Sequence, residues 1–364
     1  MRLALLALVA CKHPGSDVVD GDAEMRSIEH PATVSVDGWA TLEVAVADGD
    51  TSFLVNASGG DVLSLDHIID PNGDIALNWE DWTGHRTLTN AFFPCDEDSC
   101  VTDFAVNWPV RAEDGPLVPG AWQVVVATTD PDFNWLSGGV VNATTLVKRD
   151  PDLALSTVPV NIVYAAGVGD NAEVVAAVEG AVEHWRGIWA PYGLTLAERY
   201  STSDVDAHLA YPSSGDDALR AASATSEVGE ITVLIGEDLG GATSYLGMAG
   251  GIPGALVEGP RSGVVVGWLA GSGTDAQFTE EEIVIMAGTM AHEVGHFQGL
   301  LHPVESTYTA WDALDDTPEC GARSGCERDV GNNLMFPYTV LDIGPQEDLS
   351  AGQVGVIMNY VGSP

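Results

Sequence analysis

His292-Glu293-Val294-Gly295-His296-Phe297-Gln298-Gly299-Leu300-Leu301-His302 decides how the rest of this 364-residue chain is read. Histidines four apart project from one helix face, so the His292 and His296 imidazoles can reach the same metal ion. Glu293 lies beside them, placed to work on a metal-bound water and not to bind the metal. A third ligand cannot come from continuing the helix. Gly299 can take the left-handed conformation, stop the helix and turn the chain back. His302 then closes a three-histidine site whose fourth position is open, as a hydrolytic zinc centre requires.

Working outward, the helix carrying this string is predicted from about Thr279 to Gln298. Thr279 suits the N-cap, and Glu280, Glu281 and Glu282 fill the first turn, where the helix dipole favours anions. Upstream, Val158–Tyr164 reads as a strand. Asn171 to about Ala190 has Val174, Val175, Val178, Val182, Trp185, Ile188 and Trp189 at helical spacing. Further strands are predicted at Leu194–Ala197, Glu230–Ile235 and Val264–Trp268. This order marks an α/β (α+β) domain over 157–362.

Residues 32–148 carry a different pattern. Short alternating runs at Ala32–Val36, Ala40–Val46, Ser52–Val55 and Trp122–Ala127 are separated by turn sequences such as Asp70-Pro-Asn-Gly73. They predict an antiparallel β-sandwich domain. Leu65–Asp74 and Pro119–Val124 resemble the small jelly-roll or immunoglobulin-like modules that accompany secreted bacterial peptidases. Five of the ten Trp residues fall between Trp79 and Trp135, as sandwich core or as a carbohydrate-binding face. Asp70, Asn72 and Asp74 read first as a turn and second as Ca²⁺ ligands.

Met1-Arg2 followed by the apolar run Leu3–Ala10 reads as a signal peptide over 1–10. Leu8-Val9-Ala10-Cys11 is similar to a bacterial lipobox, with Cys11 lipidated, while an ordinary signal peptide with an incidental Cys is the alternative. Residues 11–31, polar and rich in breakers, suit a tether. The remaining cysteines form two close pairs, Cys95/Cys100 and Cys320/Cys326, read as loop disulfides in an oxidising compartment over a zinc–thiolate site, since neither has C-x-x-C spacing. Cys95 or Cys100 as an inhibitory thiolate on the zinc is a weaker reading than a disulfide.

Against 54 acidic residues stand 13 basic ones, a net charge of −41, with lysine only at Lys12 and Lys148. Such a surface is repelled by nucleic-acid backbones and anionic membranes. Membrane contact is expected only through the N-terminal lipid, and the chain is expected to be a monomer.

The zinc string resembles the signature of the metzincin clan of zinc endopeptidases. Asn332-Asn-Leu-Met335-Phe-Pro337 matches the clan's downstream methionine turn. Within the clan, the similarity is to the pappalysin-like (cytophagalysin) family, on Asp312–Pro318, Cys320, Cys326 and Leu349–Gln353, while Pro303 after the third histidine is more like the serralysin branch. The resemblance implies Met335 beneath the metal and an extended substrate paired with an edge strand of the sheet near Leu246–Gly251, a run whose glycines could equally make a plain loop. It also implies Tyr338 as an oxyanion donor, although Met335-Phe-Pro-Tyr338 is one residue longer than the usual Met-x-Tyr. Relatives hold calcium, which Asp312, Asp315, Asp316 and Glu319 could ligate here, or these could be a solvated acidic loop.

The expected function is an exported zinc endopeptidase acting on a protein or peptide substrate. The expected location is the bacterial cell envelope as a lipoprotein, or outside the cell. Two rivals stand beside it: a zinc hydrolase of non-peptide amides, and a surface binding or adhesion lipoprotein with a degenerate protease domain.

Overall fold

A computed structural model describes residues 23–92, 100–150, 153–212, 217–241, 246–272, 277–339 and 344–364. Cys11, the signal run and Cys95 lie outside the described residues. No helix among these residues is long and apolar enough to cross a membrane.

Among the described residues the first half holds nine strands: β1 (Glu24–Glu29), β2 (Thr33–Val34), β3 (Trp39–Val46), β4 (Asp50–Gly59), β5 (Val62–Ile69), β6 (Ile75–Asn78), β7 (Asp103–Trp108), β8 (Gly120–Thr129) and β9 (Val140–Arg149). They form two sheets, ordered β1-β9-β4-β7 (with β2 also on β9) and β3-β8-β5-β6, and every pair is antiparallel. In β3 the side chains alternate strictly, with Ala40, Leu42, Val44 and Val46 inward. The two sheets share one core, where Phe53 of β4 meets Trp122 of β8 edge-on at 5.9 Å. Buried almost throughout, β4 loses that alternation. Phe53 and Val55 face the other sheet, while Asn56 on the opposite face reaches the second half of the chain through Leu256.

Two expectations are corrected here. The predicted tether over 11–31 runs too far, because Glu24–Glu29 is a sheet strand paired with β9. Arg26 anchors it, gripping Asp50 at 2.6–2.7 Å with both guanidinium nitrogens. The Trp residues divide between core and surface. Trp108 and Trp122 are buried, whereas Trp135 is half exposed and stacks on Trp39 at 4.8 Å.

The second half is mixed α/β. Its main sheet is ordered β11 (Leu194–Thr202), β10 (Ser156–Tyr164), β13 (Ile231–Gly236), β16 (Val264–Gly267) and β15 (Gly247–Ala249). The first three neighbouring pairs are parallel, and β15 joins β16 antiparallel at the edge. A small parallel pair links β12 (His208–Leu209) to β14 (Asp238–Leu239).

Two long helices pack together beside this sheet, α2 (Ala172–Trp189) and α5 (Glu280–Phe297). The helices α1 (Trp79–Thr83), α3 (Ala218–Ser223), α4 (Trp268–Ser272), α6 (Arg323–Val330) and α7 (Ala351–Asn359) are shorter. Asn171 caps α2, whose buried face is Val174, Ala177, Val178, Ala181, Val182, Trp185, Ile188 and Trp189. Thr279 and Glu282 cap α5 reciprocally, each side chain accepting the other's backbone N–H.

The hydrophobic core continues from one half into the other. Polar groups stitch the seam. Lys148 of β9 is fully buried, with Nζ donating to Met358 O at 2.7 Å and to Ser363 O, and with Asp150 at 2.9 Å. The Asn107 amide donates to Asn359 O at 3.1 Å and accepts from Val361 N–H at 3.1 Å.

Candidate metal centre

The turn that ends α5 builds the site. Gly299 sits at φ +108°, where other residues are strained. Its N–H donates to His296 O at 2.9 Å and the Leu300 N–H donates to Gly295 O at 2.9 Å, the paired bonds of a Schellman stop. The chain then doubles back and Leu300 O lies 2.7 Å from His296 Nδ1. One turn therefore terminates the helix and orients a ligand.

The other two imidazoles are held in the same manner. His292 Nδ1 lies 2.8 Å from Leu334 O, and His302 Nδ1 lies 3.0 Å from Glu305 Oε2. The free nitrogens converge: one ring nitrogen from each of His292, His296 and His302 lies within 4.8 Å of the others, and His296 Nε2 is 3.1 Å from His302 Nε2. Among the described residues this is the only group of three such side chains able to hold a metal ion. Burial, helped by the nearby His302 ring, pushes His292 down to about 4, against the Leu334 carbonyl. Burial also drives His296 well below the usual histidine range.

Glu293 is enclosed beside them, and burial pushes its carboxyl up to about 8, opposed by a hydrogen bond from the Ala249 backbone. The strand β15 can come this close because Gly247 has no side chain. A Cβ there would sit 2.8 Å from Glu293 Cγ.

Met335 is buried beneath α5, its sulfur 2.7 Å from where a Cβ on Gly295 would stand, so a side chain at 295 would push Met335 aside. Asn333 fixes this turn, accepting from Met335 N–H at 2.9 Å and pairing amide-to-amide with Gln353 of α7. Leu334 between them supplies the carbonyl to His292.

Tyr338 borders the same cleft of about 1030 Å³ as His292 and Glu293. Its hydroxyl is committed elsewhere, to Tyr308 Oη at 2.6 Å and Glu327 at 3.3 Å, with the Arg323 guanidinium over the ring. Cys320 and Cys326 form a disulfide, and Cys100 is disulfide-bonded. Of the acidic groups read as possible calcium ligands, Asp70, Asp312 and Asp316 accept hydrogen bonds from their neighbours. Asp70 Oδ1 accepts from Asn72 and Asp74 N–H, each at 2.8 Å, as its turn sequence suggests. Asp316 accepts from Ser350 Oγ and Gly352 N–H at the start of α7, and Asp312 from Thr317 Oγ1 and Leu314 N–H.

Sequence reasoning missed Glu305, Gly295 and the Leu300 and Leu334 carbonyls. A carboxylate three residues past His302 was a signal for the first. The carbonyls had none, because every residue has one.

No family model and no curated protein matches the chain. Among solved structures, metalloproteinase-II from Bacteroides fragilis is similar over 60% of this chain and 62% of its own, at 12% identity and a TM-score of 0.34. The chain thus spans less than two thirds of that protein. A Bacillus subtilis protein, YXIM, is similar over 58% of this chain and 53% of its own, at 10% identity and a TM-score of 0.16.

Proposed function

We propose that the protein is an exported zinc endopeptidase of metzincin type, similar to the pappalysin-like family and carried at the cell envelope by a lipid on Cys11. One observation carries the reading. Each Nδ1 faces an oxygen acceptor, so it keeps its proton and leaves each Nε2 with a bare lone pair. Two such lone pairs 3.1 Å apart, on His296 and His302, repel one another unless a cation lies between them. Burial favours the neutral forms of His292 and His296. Neutral imidazoles are zinc donors, and tetrahedral zinc bonds of about 2.0–2.1 Å space adjacent nitrogens by roughly 3.3 Å.

Zinc held by these three histidines supplies Lewis acidity, making water nucleophilic near neutral pH and polarising a peptide carbonyl. Glu293 receives the proton of the attacking water and passes it to the departing amine. The Ala249 backbone and the close approach of Gly247 to Glu293 Cγ set β15 against that carboxylate. Among the described residues β15 pairs only with β16, so its outer edge is open to an extended peptide added as a further strand. The long cleft beside it favours a polypeptide over a small amide.

Glu293→Ala is expected to keep zinc and lose about 10²–10⁴-fold in casein hydrolysis. The parent should lose activity to 1,10-phenanthroline, and its digests should show defined cleavage sites by mass spectrometry. Hydrolysis persisting in the variant or under the chelator would overturn the assignment.

A further inference from the structure

We propose that the antiparallel first half is a buttress for the strand that positions Glu293, with Arg261 as the positioning residue that joins the two; this rests on the peptidase reading above. The edge strand β15 is only Gly247–Ala249, and its ladder to β16 is equally short. It nevertheless has to hold the Ala249 amide on the Glu293 carboxylate and bring Gly247 against Glu293 Cγ. A strand this short with one neighbour does not hold its place unaided.

The segment that follows, 250–263, has no helix or strand and contains Gly250, Gly251, Gly254, Gly259 and Gly263. Such a stretch is costly to order, so its position depends on what grips it. Toward α5, Gly254 N–H donates to Phe297 O at 2.8 Å, and the Gly254 backbone lies against the Phe297 ring, where a Cβ would be 1.9 Å from a ring carbon.

Within the second half, Tyr360 Oη donates to Gly254 O at 2.9 Å, Gly259 N–H donates to Ser223 Oγ at 3.2 Å and Gly250 N–H donates to Gly263 O at 2.9 Å. Further grips come from the first half. Asn90 N–H donates to Ile252 O at 2.9 Å, and Leu256 N–H donates to Asn56 Oδ1 at 3.1 Å. Arg261 donates through Nε to Gly250 O at 2.6 Å, the residue directly after β15, while its Nη1 reaches Asp103 O of β7 at 3.5 Å. One guanidinium thus touches both the end of the edge strand and the antiparallel sheet. Losing it leaves Gly250 held through its N–H bond to Gly263 O and loosens the end of β15, so Gly247 and Ala249 no longer hold Glu293 as closely. Small misplacements of this kind are expensive in rate.

The test uses the whole chain with Arg261→Ala and Arg261→Lys. Hydrogen exchange on zinc-free protein should speed at the 247–250 amides in Arg261→Ala and stay unchanged in the middle of α5. On zinc-loaded protein with a quenched fluorescent peptide, kcat should fall about tenfold or more at unchanged zinc content. Arg261→Lys, which can still donate to Gly250 O, should recover part of both effects, and it carries the test where Arg261→Ala does not fold. Exchange at 247–250 equal to the parent's, or kcat within twofold of it, overturns the proposal. A parent with no zinc-dependent peptidase activity overturns the reading it rests on, and the zinc-free exchange measurement still decides whether Arg261 holds the strand.

Discussion

In the antiparallel half the buried charges have counter-charges. Asp50 is held by Arg26 and Arg149, which together with the Ala47 amide keep its carboxyl below the ordinary range despite burial, and Lys148 sits against Asp150. In the α/β half, His292, Glu293, His296 and Asp312 have no ion pair against them among the described residues, and burial displaces each toward its neutral form, opposed at His292 by the Glu305 charge and the Leu334 carbonyl. Paired charges inside a protein serve the fold. Unpaired ones are costly, and where several converge on one point they mark chemistry. The exception, Asp312, stands apart from the cluster and is neutralised where it is.

Lys148 is where this contrast is easiest to break. Lys148→Met removes the cation beside Asp150 and leaves the Met358 and Ser363 carbonyls without the Nζ donor. It should cost about 3–5 kcal/mol in denaturant unfolding. Because the core runs through both halves, a single transition should shift. Two transitions, of which only one moves, would make the halves independent.

Asp312 sharpens the other side of the contrast. Burial, with Asp316 nearby, raises it from 3.8 to about 7 against the Thr317 and Leu314 hydrogen bonds. Between about pH 4 and 7 the folded state keeps a proton that the unfolded chain has released. Its contribution is complete below pH 4 and is lost as pH rises through 7, by at most about 4 kcal/mol. In Asp312→Asn this part of the pH dependence should vanish, so the variant gains on the parent from pH 4 to 8. A parallel pair of stability curves would contradict the assignment.

Glu305 has the smallest expected effect. Of the three ligand supports it is the one side chain, the other two being backbone carbonyls. Glu305→Gln should weaken zinc about 10–100-fold in a chelator competition, with the fold intact. An unchanged affinity would mean that the loop alone orients His302.

Legibility in the sequence followed the same division. His292, Glu293, His296, Gly299 and His302 could be read because each depends on spacing along one helix and one turn, and Thr279–Gln298 was bounded to within its caps. Strand β7 was not anticipated. Buried nearly throughout, it lacks the alternation that marks a half-exposed strand. Strand β1 reads as tether in the sequence because its residues are mostly polar and its place depends on pairing with β9, far along the chain. Tyr338 was reached through family resemblance, and its hydroxyl goes to Tyr308 and Glu327 instead.

The sequence by itself determined the candidate ligand set, the carboxylate proposed for proton transfer and the helix stop, since helical periodicity and a left-handed glycine act over a few residues. Only the tertiary structure decided what turns those ligands inward. The Leu334 carbonyl, the Ala249 amide, the space left by Gly247 and Gly295 and the Lys148 seam come from segments distant in the chain. No local pattern encodes a backbone atom's neighbours across a core, because they follow from how the whole chain packs.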